Sequence, residues 1–447
     1  MAGAAMIEAP TSGGLLTRTS HWLRPDAARR FCRLFVPGEE TLIHGESRAQ
    51  VVIDRVLGLS GSEAELTLAR TIARFSSGHR DLPATLELNF QQVMHGLGRQ
   101  VTASSLQRQL IGAYFTQEYS LEAAALFNPS MIEHPDQAGC QPGEVRFIMS
   151  LRSVGEGHLS SIEFRTGVVG ETGIRLDVPG RLLDTGAVHP VPSDREFRDG
   201  DRTAAGGYAV EFDERSELSE RVLWPAGPAE SHGMEDARFV RFVDDSGHIR
   251  YYATYTAFDG SRVAPRLLQT TDFRTFTVAE LSGQSASNKG MALFPRLVGG
   301  RYAVLSRWDR ESNAIGYSDD GLHWSEAVTV QVPARPWELI QLGNCGSPIE
   351  TPLGWLVFTH GVGPMREYSI GAILLDLDEP ERMLAALPEP LLVASESERE
   401  GYVPNVVYSC GSLLHGDTVV LPYGCSDSSV RFAIVDLPRL LDRMTRT

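Results

Sequence analysis

A chain of 447 residues is about three times a typical domain of roughly 150, and its 42% hydrophobic and 22% charged residues exclude a chain that is disordered throughout. Lys plus Arg number 41 against 57 Asp plus Glu, a formal charge of −16 that repels phosphate backbones and acidic membrane surfaces, so nucleic acid is not an expected partner. No apolar run approaches the roughly 18 residues of a membrane span, and residues 1–23 lack a basic segment followed by an apolar one, which predicts no membrane partner and a cytoplasmic address.

The first quarter of the chain reads as helix. Ser62-Glu63-Ala64-Glu65 fits a capping box, in which the hydroxyl and the carboxylate satisfy orphan N–H groups, and Leu68, Ile72 and Phe75 follow at helical spacing, predicting a helix over about 63–75. Leu86, Phe90, Val93 and Leu97 form a second apolar stripe, and Leu106, Leu110 and Ala113 a third. Residues 1–126 are therefore expected to be a helical N-terminal extension. Its stripes must be covered by one another, by the rest of the chain or by a second subunit, and a homodimer through these helices is the corresponding partner expectation.

From Phe127 onward the texture changes to short β-branched and aromatic runs separated by Gly, Asp, Asn and Pro. A unit of strand, polar loop, strand and Asp-, Ser- or Thr-rich turn recurs at 145–166, 250–272, 301–319, 355–376 and 418–436. The later copies lie roughly 50–65 residues apart, as propeller blades do, and the wider first gap leaves room for an insertion. The predicted fold is all-β, a five-bladed β-propeller over 127–447 carrying the helical extension. A β-sandwich also has short strands, but gives no reason for the repeated unit. In a propeller the loops of every blade gather at one end, so polar residues far apart in sequence converge there.

Five cysteines (Cys32, Cys140, Cys345, Cys410, Cys425) are scattered without a C-x-x-C pair and read as reduced thiols. The phosphate-loop, dinucleotide, nucleophile-elbow and H-E-x-x-H patterns are missing, as is any H-x-H or D-x-D-x-D-G spacing, so neither metal nor cofactor is expected. Three segments carry the chemistry. Glu235 and Asp236 are adjacent carboxylates before an apolar strand, where alternation would send them to different surroundings. Glu156 lies between two glycines in the loop of the first repeat, beside Arg152 and His158. Lys289 precedes the strand of the third repeat, while His360 and Asp427 occupy loops of later ones. Carboxylates, cations and aromatics such as Tyr255, Trp308, Tyr402 and Tyr423 on converging loops are what a carbohydrate site requires.

At these residues the chain resembles glycoside hydrolase family 130, five-bladed propellers acting on β-mannosides, mostly as phosphorylases and in some branches as hydrolases. The marks are Phe127-Asn128-Pro129, Gly233-Met234-Glu235-Asp236-Ala237-Arg238 against G-x-E-D-P-R, and Lys289 to Pro295 against K-x-x-x-L-F-P. They continue with Gly354-Trp355-Leu356 leading to His360-Gly361, Val403-Pro404-Asn405-Val406-Val407, and Tyr423-Gly424 leading to Asp427. The resemblance implies that Asp236 is the general acid, directly or through a sugar hydroxyl, and that Asn128, Arg152, Lys289, Asn405 and Asp427 bind sugar or the nucleophile. His158, Glu235, Arg238, Tyr255, Arg307, His360 and Tyr368 complete the expected substrate-binding set. Ala237 replaces the family's Pro beside the acid.

Two departures bear on the reaction. Ser306 stands where the phosphorylases have a His that helps hold phosphate, and Arg262 or Arg266 gives no clean match to their phosphate-binding Arg. Losing such groups costs charge-assisted hydrogen bonds of about 1.5–3 kcal/mol each. Hydrolysis would instead need a carboxylate base opposite the acid, for which Glu156 is the first candidate, Glu311 the second and Glu196 the third. The expectation is an inverting, exo-acting β-mannosidase on short β-1,2-linked mannosides such as β-1,2-mannobiose. The alternative is a phosphorylase releasing mannose 1-phosphate, with inorganic phosphate held by Lys289, Arg307 and one of Arg262 or Arg266. A non-catalytic glycan-binding propeller is the reading from a different class.

Overall fold

The computed structural model describes residues 14–37, 47–171, 173–191 and 207–446. They form two compact units. The smaller takes Asp26–Leu121 and Gly180–Asp184, and the larger takes the described residues before Asp26, Glu122–Pro179, and those from Thr185 on.

The smaller unit holds helices α1 (Arg48–Leu57), α2 (Gly61–Phe75), α3 (Leu82–Gly96) and α4 (Ser105–Tyr114), with an antiparallel pair of strands, Arg30–Leu34 and Thr116–Ser120. The stripe Leu86, Phe90, Val93 and Leu97 is buried together with Leu110, Leu68 and Ile53 in one cluster, while Leu106 and Ala113 are half-buried at its margin. Helix α2 begins earlier than the sequence predicts. Its cap is Ser60, whose hydroxyl accepts from the Glu63 N–H at 3.3 Å while the Glu63 carboxylate accepts from the Ser60 N–H at 3.0 Å. Ser60 and Ser62 both stand three residues before a Glu. Ser60 takes the cap because its extended backbone lets Gly61 and Ser62 join the first turn.

In the larger unit the five recurring segments are five antiparallel hairpins. They are Val145–Val154 with Ser160–Gly170, Ile249–Phe258 with Val263–Thr270, Tyr302–Ser306 with Asn313–Ser318, Gly354–Val362 with Tyr368–Leu375, and Thr418–Cys425 with Ser429–Asp436. Each gains a strand on either side. The last is completed by Leu16–Leu23, which pairs with Ser429–Asp436. This strand lies within the predicted helical extension. Its burial alternates, with Leu16 and Arg18 inward. In the wide first gap, Ala187–Pro190 and Tyr208–Glu211 add two strands to the outer edge of the second group.

Successive side chains of a strand point to opposite faces, and here both faces are buried. In Val145–Val154, Phe147, Met149 and Leu151 join Val420 and Phe432 of the fifth group, whereas Ile148 joins Phe239 and Leu268 of the second. In Gly354–Val362, Trp355 and Val357 join the third group, whereas Leu356 and Phe358 join the fifth. Val240 and Val304 meet in a cluster shared by the second and third. Every group therefore shares apolar clusters with two others, and the fifth shares one with the first.

The recurrent Asp closes the turn after the hairpin's second strand. Asp272, Asp320 and Asp376 each accept two backbone N–H bonds from the residues that follow, an Asx turn in which the side chain substitutes for a ladder acceptor.

The N-terminal strand is fastened by charge as well. The Glu398 carboxylate, fully buried, accepts from Arg18 at 3.2 Å, Arg431 at 3.2 Å and the Tyr423 hydroxyl at 2.6 Å. Burial raises the proton affinity of Glu398, but Tyr423, the Ser395 N–H and Arg18 outweigh it and hold the carboxyl below its ordinary value. This stability is present above the ordinary value of 4.5 and is lost as pH falls through the lower folded-state value. Glu398→Gln removes the buried negative charge that Arg18 and Arg431 share, and we expect a loss of about 3–5 kcal/mol in urea unfolding at pH 7. The gap between variant and wild type should close as pH is lowered below 4.5. A gap that does not change with pH contradicts the assignment.

Candidate active site

Loops of the larger unit open on a cavity of about 550 Å³. The first hairpin contributes Gly157 and His158, the third Arg307, the fourth Arg366 and the fifth Asp427, while the second reaches it with Phe258. The cavity's polar side chains lie toward the ends of the strands and in the loops.

At the centre is Asp236. Its Oδ1 accepts from Asn128 Nδ2 at 2.6 Å and from Arg152 Nη1 at 3.2 Å. Its Oδ2 has no hydrogen-bond partner among the described residues. The second arm of the Arg152 fork reaches Glu235 at 2.8 Å, and Lys289 holds the other Glu235 oxygen at 2.7 Å. Arg238 donates to the Asp236 backbone carbonyl at 3.0 Å and to the Tyr408 hydroxyl at 2.7 Å, so it fixes the backbone of the acid instead of facing the cavity.

Strand alternation would part Glu235 from Asp236, yet both line the cavity. Asp236 sits at φ 54°, and the pairing register shifts between Glu235 and Arg238, which turns its side chain to the same side as Glu235. Asn128, at φ 50°, lies in a matching register shift between Phe127 and Ser130. Left-handed backbone at non-glycine residues costs on the order of 1–3 kcal/mol and persists where surroundings over-determine it. Here it brings Asn128 and Asp236 together.

The two aspartates are pushed apart in acidity. Burial raises the proton affinity of Asp236, but Arg152, Arg238, Lys289 and the Asn128 bond outweigh it, so the carboxyl is held below the usual aspartate value. For Asp427, burial and then the Asp236 charge win over Arg152 and Arg366, and its carboxyl is pushed up to about 6. Two carboxyl groups of one site with opposed environments can hold and release a proton at neutral pH.

Four cations, Arg152, Lys289, Arg307 and Arg366, face three carboxyl groups, Glu235, Asp236 and Asp427, across this cavity. Arg152 and Lys289 are paired. Arg307 meets instead the imidazole Nε2 of His360 at 3.1 Å, and its Nε is buried with no partner. Burial, then Arg307 and Arg238, push His360 well below its ordinary value, so the ring is neutral. Its Nδ1 lies 3.2 Å from the Asn344 carbonyl and carries the proton, leaving Nε2 to accept from Arg307. The Arg307 charge is thus placed without being neutralised. Gly343 makes room for the pair: a Cβ there would lie 2.5 Å from the His360 ring and 3.1 Å from the Arg307 side chain.

Of the residues expected from sequence, Asn128, Arg152, His158, Glu235, Asp236, Lys289, Arg307, His360, Tyr368 and Asp427 line the cavity. Others do not. Glu156 and Glu311 are exposed and outside the lining, and Glu196 lies outside the described residues. Tyr255 is buried on the opposite face of its strand, its hydroxyl bound to Glu230. Asn405 accepts from Arg399 at 2.7 Å and serves to hold its own loop. Ser306 is buried, donating to the Ser285 carbonyl at 2.7 Å, Arg262 is exposed, and Arg266 pairs with Glu280 at 2.7 Å, none of them in the lining. The sequence reading missed Arg366 and Tyr408. Arg366 was visible by aligning hairpin loops: it follows Gly363 as His158 follows Gly155, and both sit at φ 58°.

A family model described as beta-1,4-mannooligosaccharide phosphorylase matches residues 205–446. The chain is 33% identical over 244 residues to a 1,2-beta-oligomannan phosphorylase of Thermoanaerobacter sp. (strain X514), spanning 52% of this chain and 78% of that protein. To a beta-1,2-mannobiose phosphorylase of Listeria innocua it is 29% identical over 233 residues, 50% of this chain and 63% of that one. One similar solved structure was described with the statement that the GH130 family of mannoside phosphorylases contains glycoside hydrolases that target beta-1,2 mannosidic linkages in Candida mannan. It superposes with a TM-score of 0.50 at 17% identity, over 71% of this chain and 86% of that chain, a likeness of fold. The family match takes in Asp236, Lys289, Arg307, His360 and Asp427, and begins after Asn128 and Arg152.

The opposed aspartates give a direct test. In a carboxyl-carbon NMR titration Asp427 should take up its proton near pH 6. Because the Asp236 charge raises this value, Asp236→Asn should lower it. A midpoint at the ordinary aspartate value in wild type, or no change in the variant, contradicts the electrostatic picture.

Proposed function

The chain belongs to glycoside hydrolase family 130, and on that premise we propose that it is a β-mannoside phosphorylase, cleaving short β-1,2-linked manno-oligosaccharides with inorganic phosphate and releasing mannose 1-phosphate. The observation that carries this reading is Arg307: a cation on the cavity wall, held by a neutral His360 and matched by no carboxylate among the described residues, with Arg366 lining the same space. Arg307 is half-buried at the cavity wall, and a phosphate dianion supplies the counter-charge it lacks there through charge-assisted hydrogen bonds. The phosphorylases among its relatives support the same choice.

The step needs little from the protein beyond placement. A phosphate oxygen attacks the anomeric carbon from the cation side, the bond to the glycosidic oxygen breaks, and Asp236 Oδ2 delivers a proton to the leaving oxygen, with inversion. Asp236 is ionised in the empty cavity because three cations act on it. A dianion beside Lys289 and Arg307 offsets those charges and raises the proton affinity of Asp236, so the acid is loaded as the nucleophile binds. The five hairpin groups, each sharing clusters with two others, support reading the larger unit as a five-bladed propeller with this site at one end.

Hydrolysis is the second reading, favoured by Ser306 in place of the phosphorylases' His. Its base would be Asp427, the cavity carboxyl pushed up to about 6, and not Glu156 or Glu311.

Purified protein incubated with β-1,2-mannobiose should form mannose 1-phosphate only when phosphate is present; free mannose at an undiminished rate without it selects hydrolysis. Asp236→Asn should lower kcat about 10²–10⁴-fold. Arg307→Ala should raise the KM for phosphate by about tenfold or more, the value of one charge-assisted hydrogen bond. An unchanged phosphate KM removes Arg307 from the anion site.

A further inference from the structure

An aromatic side chain at a cavity mouth has two ordinary fates, to be tucked under neighbours or to sit on a loop that moves. Tyr402 has neither. It lines the cavity and is 72% exposed, yet its loop is held on both sides. The Val403 N–H donates to the Ser426 carbonyl at 3.0 Å, and Gly401 lies so close that a Cβ there would come within 2.6 Å of Ser426. Ser426 adjoins Asp427. On the other side Asn405 accepts from the Tyr368 N–H at 2.9 Å and, through its side chain, from Arg399 at 2.7 Å.

The ring of Tyr402 faces one partner, His158, at 5.7 Å between centroids and 34° between planes. His158 comes from the hairpin loop of the first group and is fixed at φ 58°. Its N–H donates to the Gly155 carbonyl at 3.2 Å, and the Gly155 N–H donates to the Leu159 carbonyl at 3.2 Å. Two exposed rings on loops from different groups, each with a pinned backbone, form a pre-set surface at the solvent end of a cavity whose inner end holds Asp236.

We propose that Tyr402 and His158 form a platform for a further sugar unit of the substrate, on the leaving-group side of the cleaved bond, which rests on the reading of this site as acting on β-mannosides. The mannosyl unit being transferred lies beside Asp236, next to the half-buried Arg152 and buried Asn128, so the rest of the chain extends toward the exposed rings at the mouth. A pyranose presents a face of C–H groups, which an aromatic ring covers while the hydroxyl groups stay in water. Because the loops are fixed beforehand, little ordering entropy is lost when that unit binds. The platform makes the protein selective for chain length: mannosides of three or more units are preferred to the disaccharide.

The test compares kcat/KM for β-1,2-mannotriose and β-1,2-mannobiose in wild type, Tyr402→Ala and Tyr402→Phe. The trisaccharide-to-disaccharide ratio should fall about tenfold in Tyr402→Ala, the scale of one aromatic contact, and be retained in Tyr402→Phe, where the ring remains. A ratio unchanged in Tyr402→Ala, or lost equally in Tyr402→Phe, overturns the platform. If wild type turns over no β-mannoside, the functional reading fails separately. Calorimetric binding of mannotriose then decides, with a Kd about tenfold weaker in Tyr402→Ala supporting the platform. An unchanged Kd, or no binding by wild type, rejects it.

Discussion

Burial of both faces of every hairpin is the constraint on which the rest of the larger unit depends. A strand with one solvated face can place polar groups anywhere along that face; in these strands a buried charge needs a partner. Phe147, Met149 and Leu151 point one way and Ile148 the other, and both directions meet apolar neighbours. Charges that face open space are therefore confined to the strand ends and hairpin loops, while those buried within strands, such as Glu163 with Arg165, are paired. The cavity around Asp236 follows from that exclusion, since the loops are where five separate parts of the chain can present polar atoms to one another.

Collecting charges in one enclosed place creates a second problem, which the pairing at the site answers only in part. Arg152 bridges Glu235 and Asp236, and Lys289 takes the remaining oxygen of Glu235, so most of the inner charges are satisfied within the protein. Outside this arrangement stand the second oxygen of Asp236, the Asp427 carboxyl and the guanidinium groups of Arg307 and Arg366. They include an open acceptor and two cations without a bound carboxylate among the described residues. Their separate deficits are linked through the field of the site, because whatever offsets the cations also raises the proton affinity of Asp236. Strained backbone at Asn128, Asp236 and Asp427 indicates that the surrounding sheets hold this geometry against local preference.

Much of this was legible in the sequence because it depends on period and repetition. Helical stripes at Leu86, Phe90, Val93 and Leu97 mark α3 since a helix has one way to bury such a pattern. The five strand–loop–strand segments coincide with the five hairpins, and Asp272 and Asp376, which end two of them, prove to be turn acceptors, whereas Asp319 pairs with Arg301 and Asp436 caps a helix. What was not legible depends on where the period breaks. Glu235 and Asp236 share a side through a register shift that no alternation rule contains. Tyr255 reads as a site aromatic by type, but its face is decided by the register of its strand, which sends it to Glu230. Glu156 reads as a close approach between two glycines, whereas the loop turns Gly157 and His158 inward. Residues 16–23 escape notice because their strand pairs with a segment some 400 residues away.

Repetition also explains how chemistry can vary without disturbing the core. The hairpin loops of the first and fourth groups have the same backbone form: Gly155 and Gly363 each donate to the carbonyl four residues on, at 3.2 and 3.0 Å, and each loop places its fourth residue at φ 58°. In one loop that residue is His158, an aromatic beside Tyr402; in the other it is Arg366, a cation beside Asp427. The same position in two repeats thus carries an exposed ring in one loop and a cation in the other. Neither side chain takes part in the apolar clusters, so the choice between them is free of the packing that defines the fold. Functional differences between proteins built this way should therefore concentrate at such loop positions, while the alternating strand residues, which must satisfy two neighbours at once, stay apolar.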